Sequence, residues 1–207
     1  MNSEELLRQY KLGTRNFQGC NLTRAVFKNT SLAKINFSQA ILTEADFTET
    51  NLEQAIFEEA DLSLSNLSQA KLTQADLTEA SLHSALLYKT SLDKTKLQQA
   101  NLSQAILKRA FLREANLSQA NLTAADLQQA NLIDADLTGA NLTEANLEKA
   151  FLQGANLFKA CIEGANLEQA VLTGAIMPDG KIYEEVKISR GESRIAPTDS
   201  TVNHDLI

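Results

Sequence analysis

Two histidines and two cysteines are the side chains of this 207-residue chain best suited to nucleophilic catalysis or metal binding. Either task needs such groups in combination, as a nucleophile with its base or as ligands at regular spacing. His83 has no cysteine or second histidine at ligand spacing, and His204 lies near the carboxyl end. The sequence also contains no glycine-rich phosphate loop, no HExxH and no Cys-x-x-Cys. We therefore expect no catalytic residues, no metal site and no cofactor.

Aspartates recur at intervals that are multiples of five, and they could be taken for the paired carboxylates of an acid–base catalyst. They are Asp46, Asp61, Asp76, Asp126 and Asp136. Elsewhere in the chain the same position is held by asparagine, for example Asn121 and Asn141. Because asparagine replaces them so freely, the pattern favours a polar outer wall over a set of catalytic acids.

A five-residue repeat determines the elements that would position these side chains. Every fifth residue from Phe17 to Leu172 is Leu, Phe or Ile, and a small residue, mostly Ala, lies two positions before each except Phe17 and Phe37. In an α-helix, residues five apart are rotated by roughly 140°, so the leucines would wind round the whole surface. In a straight strand they would alternate between the two faces. The chain must therefore turn a corner once in every five residues.

Four such corners close a square coil of twenty residues, and neighbouring coils would pair at about 4.8 Å. Within each repeat the large and the small apolar residue face inward, and the residue between them faces outward. The last two positions are mostly polar and form the corner. The last one carries Gly139, Gly154, Gly164 and Gly174, which suits a positive φ. Cys20 and Cys161 would lie about seven coils apart, beyond the reach of a disulfide.

The repeat reads Ala-(Asn/Asp)-Leu-x-x, as in residues 120–124 and 140–144, and it resembles the repeat of the pentapeptide-repeat family over residues 15–177. The resemblance implies an all-β fold, namely a right-handed quadrilateral β-helix of about eight coils. The coil can be worked out from spacing, whereas the handedness is implied by the resemblance alone.

The ends of the repeat suggest three parts. Residues 1–14 form an N-terminal cap, with a short helix over residues 3–12 for which Asn2 or Ser3 serves as the N-cap. Its residues Leu6, Leu7 and Tyr10 would cover the first coil. Residues 15–177 form the β-helix. Residues 178–207 form a tail that is partly or wholly disordered, with a short strand possible over residues 181–188.

The charge is distributed in zones. The net charge of −7 disfavours direct binding of nucleic acid. Residues 35–70 contain no Lys or Arg but carry an acidic group, which includes Glu44, Glu49, Glu53, Glu58 and Glu59. Residues 89–113 are basic. Since the chain winds round the coil, both zones should become bands about its girth.

Several outward positions carry apolar residues in place of Asn or Asp. Phe111 and Phe151 fall on one side of the coil, together with Val171, and Phe158 is at a corner; Val26, Leu86 and Ile106 share another side. Isolated apolar residues are common on protein surfaces. The alternative is a partner or dimer surface that contains Phe111, Phe151 and Phe158.

The sequence predicts a non-catalytic structural scaffold or a protein-binding module. The acidic group and the resemblance leave open an alternative, a DNA-mimicking regulator of a type II topoisomerase of the quinolone-resistance type. The acidic N-terminus is unlike a signal peptide, and no stretch is apolar enough to span a membrane, so we expect a cytoplasmic protein. We expect a protein partner, no membrane association, and a monomer or weak dimer.

Overall fold

The computed structural model describes residues 1–184 and begins with one helix, α1 (Ser3–Lys11). Asn2 caps it, because its side chain accepts a hydrogen bond from the Glu5 amide at 2.9 Å. Leu6 is fully buried over the first coil, and Leu7 and Tyr10 pack beside it. The helix expected over residues 3–12 is therefore present and ends one residue earlier.

Four rows of parallel β-bridges form the rest of the fold, and each bridge joins residues twenty positions apart. The rows begin at Asn16, Asn21, Val26 and Ser31, and they define the first, second, third and fourth faces. The last bridge of the first face joins Asn156 to Ile176. Each β-element described within residues 1–184 is a single bridge residue between turns, so the chain is a four-sided β-helix-like solenoid.

One repeat, residues 120–124, shows how the backbone is satisfied. The amide of Asn121 donates to Ala100 in the preceding coil, and the amides of Leu122 and Ala124 donate to the following coil, at 2.7–2.9 Å. The amide of Ala120 donates to Leu117 across the preceding turn at 3.0 Å. The remaining amide, that of Thr123, donates to the Asn121 side chain at 3.1 Å. Every amide of the repeat is thus bonded, as buried backbone requires.

The last residue of each repeat lies in the left-handed region of backbone space. Gly139, Gly154, Gly164 and Gly174 have φ of 66–77°, which confirms the positive φ expected of these glycines. Non-glycine residues hold φ of 54–60° at the same position from Arg24 to Gln169. Such a residue costs about 1 kcal/mol or more. From Arg24 to Lys159 the amide of each such residue helps to offset this cost by pairing with the next coil, as Glu44 does with Ser63 at 3.0 Å.

The axis is filled by two kinds of side chain. Between Phe17 and Phe57, phenylalanines from the first and third faces approach one another with ring centroids 5.1–6.2 Å apart. From Leu62 to Leu157 the axis consists of leucines, and alanines fill the narrow positions beside them except at Ser65, Thr90 and Thr95. The core therefore runs without a break along these coils, as the repeat predicts.

The carboxyl end of the solenoid differs from the helix-covered start. Leu167 and Leu172 are only half-buried there. A turn after Met177 reverses the chain, and Ile182 forms an antiparallel bridge with Ile176. The strand expected over residues 181–188 lies only partly within the described residues, and the expected disorder of the chain's end lies outside them.

Candidate interaction surface

The asparagines and aspartates of the outward position have a structural task that the sequence reasoning did not identify. Each one from Asn16 to Asn166 accepts, through Oδ1, a hydrogen bond from the amide two residues further on, at 2.8–3.2 Å. This is an Asx turn, in which Asn and Asp are interchangeable. The signal available in the sequence was that Asn or Asp recurs two residues before the first of the two polar corner residues.

Two of these aspartates have a lowered pKa. Partial burial raises the pKa of Asp76, but the hydroxyl and amide of Thr78 and the ammonium of Lys96 outweigh that effect and hold it below its usual value. Burial likewise opposes a lowered pKa at Asp61, where Ser63 and Thr43 supply the hydrogen bonds. Both therefore behave as ionised wall residues, which are poor proton donors.

The remaining candidates for chemistry are dispersed. His83 contacts the hydroxyls of Ser103 and Ser84 at 2.9 and 3.3 Å. Burial raises the pKa of the Cys20 thiol, whereas a hydrogen bond with the Thr143 hydroxyl lowers that of the exposed Cys161. Across residues 1–184, no group of three or more His, Cys, Asp or Glu side chains is placed to hold a metal ion.

The acidic residues encircle the solenoid. Glu44, Glu49, Glu53, Glu58 and Glu59 are all exposed, and they occupy turns that follow all four faces in succession. Arg24 binds Glu44 through two hydrogen bonds of 2.8 and 3.0 Å, which lower the pKa of that carboxyl. The group is thus a ring, and it does not run along one face.

The phenylalanines predicted as a partner surface are exposed but separated. Phe111 and Phe151 share the fourth face, with 46% and 43% of each side chain exposed, and Asn131 lies between them in the same row of bridges. Phe158 lies on the turn that follows the first face, so it shares no face with either.

A different cluster forms on the third face. Leu86 and Ile106 are directly bridged and are 39% and 40% exposed. The turns that follow them carry an aromatic residue and three cations. We call this set the basic–apolar patch, and its members are Leu86, Tyr88, Lys89, Ile106, Lys108 and Arg109. The apolar pair and the basic zone are separate features of the sequence, and the twenty-residue coil brings them together.

The bridge rows, the repeating turns and the leucine-filled axis define a repeat solenoid. The family model for pentapeptide repeats (8 copies) matches residues 20–58, 60–99, 95–134 and 135–174. This chain therefore belongs to the pentapeptide-repeat family, which confirms the resemblance found in its sequence. Proteins of this family are generally structural or regulatory modules.

Solved structures agree with this assignment. HetL, described as a pentapeptide repeat protein involved in heterocyst differentiation regulation from the cyanobacterium Nostoc sp. strain PCC 7120, is 36% identical, with a TM-score of 0.64. The match covers 88% of this chain and 100% of HetL. A trypsin-treated form of QnrB1, a plasmid-mediated fluoroquinolone resistance protein, has a TM-score of 0.67 at 17% identity, over 75% of this chain and 81% of its own. The likeness to QnrB1 concerns the fold alone.

No curated protein sequence matches the chain. None of the described helices is long and apolar enough to cross a membrane.

Proposed function

We propose that this protein is a non-catalytic protein-binding module or structural scaffold in the cytoplasm. Its solenoid would be a right-handed quadrilateral β-helix of about eight coils. The observation that carries the proposal is the uninterrupted row of bridges from Asn16 to Ile176, because it holds the turn side chains of successive coils at fixed spacing. A convex, regular surface of this kind suits recognition of a partner better than catalysis, which needs polar groups converging in a concavity.

Two further observations support a regulatory role through protein contact. HetL, which is described as involved in the regulation of differentiation, is similar to this chain over its whole length. Several outward positions carry exposed apolar side chains, among them Phe111 and Phe151, where an Asx-forming residue would complete the turn. Large exposed aromatic residues are frequent anchors in protein interfaces.

A second candidate function, suggested by the negative charge of the acidic ring, is mimicry of DNA towards a type II topoisomerase. Mimicry requires negative charge along the length of the rod. The ring surrounds the coil near Glu44–Glu59, and the cations of residues 89–113 follow it along the axis. This arrangement supports the protein-binding module more strongly than the mimic.

Affinity capture from a native cell lysate, followed by mass spectrometry, tests the proposal. The wild type should retain a protein partner that an unrelated solenoid of equal charge does not retain. A variant with Glu44, Glu49, Glu53, Glu58 and Glu59 changed to Lys should still retain it. Failure of the wild type to retain any protein would contradict the proposal. A topoisomerase that is retained by the wild type and lost by the variant would establish the mimic in its place.

The double variant Phe111→Asp/Phe151→Asp tests whether the fourth face is the surface that binds the partner. If the fourth face is the partner or dimer surface, this variant loses the captured protein or sediments more slowly than the wild type. Capture and sedimentation equal to the wild type would exclude that face and leave the basic–apolar patch as the surface to test.

A further inference from the structure

We propose that the basic–apolar patch binds an acidic segment of a partner protein that also carries apolar side chains. The inference rests on the proposed function, a protein-binding module, and it assigns a site and a partner chemistry to it. The apolar pair would receive the apolar side chains of the segment, and the three cations would pair with its carboxylates.

The patch lies on two neighbouring coils of the third face, and we call the part of each coil on this face a rung. Leu86 and Ile106 face each other across one β-bridge, at the spacing of about 4.8 Å between paired strands. Two residues after each lies the first residue of the turn, Tyr88 or Lys108. Side chains that follow in a fixed order on adjacent rungs form a continuous surface, which a single extended segment can cover.

The positive charge of the patch is not neutralised by the described part of the chain. Lys89, Lys108 and Arg109 make no ion pair within residues 1–184. The nearby Lys94 and Lys96, in contrast, pair with carboxylates at 3.3 and 2.9 Å. A cation that lacks an internal partner is available to the carboxylate of another protein.

Neutral neighbours hold two of these cations in place. Lys108 donates to the Gln128 side chain at 2.6 Å, and Arg109 donates to Gln129 at 2.8 Å. Both contacts order the side chain and leave its charge uncompensated. Lys89 lies 5.3 Å from the centre of the Tyr88 ring, within the range of a cation–π contact.

The pKa of Tyr88 is affected by the same positive charge of the patch. Desolvation raises the pKa of Tyr88, but the neighbouring cations Arg109 and Lys89 outweigh it, so the pKa lies below its usual value. A local environment that favours the anionic form of one phenol also favours a bound carboxylate.

The apolar pair takes no part in the turn that an Asn or Asp would stabilise. Leu and Ile cannot accept the hydrogen bond that Asn or Asp accepts elsewhere, so the amides of Tyr88 and Lys108 lose this partner. At Phe111 the fold supplies a substitute, because the Arg113 amide donates to the Asp93 side chain at 2.9 Å. Residues that forgo a local hydrogen bond at a surface position are better explained by binding than by stability.

Charge selects an acidic protein segment over nucleic acid. The chain carries a net charge of −7, and the exposed Glu49 occupies the same turn row as Lys89, two coils earlier. A DNA duplex is wide enough to reach that acidic ring and would be repelled by it. One extended peptide segment spans the two rungs of the patch without reaching the ring.

Fluorescence anisotropy with two labelled twelve-residue peptides tests the proposal. The first peptide contains six Glu, two Leu and four Ser, and the second replaces both Leu by Ser. We expect the wild type to bind the first at least about tenfold more tightly than the second, a difference of about 1.4 kcal/mol. Equal affinity for the two peptides, or binding to neither, would overturn the proposal.

Two variants locate the binding. The variant Lys89→Glu/Lys108→Glu/Arg109→Glu and the variant Leu86→Asn/Ile106→Asn should each weaken binding of the leucine-containing peptide by about tenfold or more. The asparagine variant introduces the residue type that the repeat already uses, so a folding failure is not its expected effect. Unchanged affinity in either variant would overturn the assignment of the site.

A matched control separates local from overall charge. The variant Lys11→Glu/Lys34→Glu/Lys159→Glu changes three exposed cations outside the patch by the same total charge, and it should bind within about twofold of the wild type. If this control lost as much affinity for the peptide as the patch variant, the loss would be an effect of net charge, and the assignment of the site would be overturned. A twenty-base-pair DNA duplex that binds the patch more tightly than the peptide would overturn the acidic protein as the occupant.

The lysate capture distinguishes failure of this site from failure of the proposed function. A partner retained equally by the wild type and by both patch variants would leave the protein-binding module standing and remove the patch as its site. If the wild type retains no partner, the proposed function itself fails.

Discussion

Residues 115–148 and residues 85–114 have the same backbone and different surfaces. In the first segment every outward position is Asn or Asp, whereas in the second only Asn101 is. The backbone hydrogen bonds between coils are the same in the two segments. The amide of Leu127 donates to the next coil at 2.7 Å, and that of Leu87 does so at 2.8 Å. The turn residues Gln129 and Lys89 have φ of 57° and 55°. The inward leucines, with a small residue beside each, therefore specify the coil: the small residue is alanine throughout residues 115–148 and is Thr90 or Thr95 in two repeats of the other segment. The outward position can change without altering the coil.

This freedom has a physical origin. Four of the five amides in each repeat are paired through the backbone, and only one depends on the outward side chain. Losing that one bond exposes an amide at the surface, where water can replace the acceptor. Losing an inward leucine leaves a cavity, which nothing replaces. Variation is accordingly tolerated on the outside, whereas every central axis position from Leu62 to Leu157 is leucine.

The largest predicted effect is at the core, and it should be equal in the two segments. Leu107→Ala and Leu127→Ala remove side chains on the third face that are at most 1% exposed. Each should lower the free energy of unfolding by about 3 kcal/mol. Urea denaturation measures this, and similar m-values would show that the unfolded states are comparable. A loss at Leu107 under half of that at Leu127 would mean that the cores of the segments differ.

A smaller effect is expected at the Asx turns, and here the segments should differ. Asn121→Ala removes the acceptor of the Thr123 amide and should lower the free energy of unfolding by about 1 kcal/mol. In the matched change Ser91→Ala, the residue accepts no such bond within the described part of the chain, and the effect should be near zero. Equal losses measured by urea denaturation would contradict a stabilising role for the Asx bond.

Acid should reveal the contribution of an ion pair between the 85–114 segment and the coil that precedes it. Asp76 accepts from Lys96, which lies in the 85–114 segment, at 2.9 Å. Since the pKa of Asp76 is lowered in the folded state, its stabilising effect is full above about pH 4, the usual carboxyl value, and is lost as the pH falls through the lowered value.

The variant Asp76→Asn keeps an oxygen acceptor for the Thr78 amide and cannot ionise. Its free energy of unfolding should therefore fall less than that of the wild type between pH 5 and pH 2. Urea denaturation across this range measures the difference. Parallel curves for the two proteins would show that this carboxyl does not contribute.

The sequence predicted the twenty-residue coil because a period of five is incompatible with a helix or a straight strand. It predicted the capping helix because Asn2 and the glutamates after it are typical of a helix start. It did not predict positive φ at residues such as Gln129 or Lys89, since the sequence signal for that conformation is glycine. The hydrogen bonds between coils that support these turns become evident only in three dimensions.

The candidate surface was less predictable for a related reason. Phe111 and Phe151 attract attention in the sequence as large aromatic residues, yet a polar residue separates them. Leu86 and Ile106 are twenty residues apart in sequence and lie side by side only because the coil returns after twenty residues. Charge and apolarity were each visible along the chain, and their combination on one face required the register of the bridges.

The central claim is that Leu86 and Ile106, two apolar outward residues of the 85–114 segment, serve binding and do not stabilise the coil. The variant Leu86→Asn/Ile106→Asn tests it most directly, because it gives the third face the residue type found throughout residues 115–148. We predict a free energy of unfolding, measured by urea denaturation, that is equal to the wild type or higher by up to about 1 kcal/mol. A loss of more than about 1 kcal/mol would show that Leu86 and Ile106 support the fold, and it would contradict the claim.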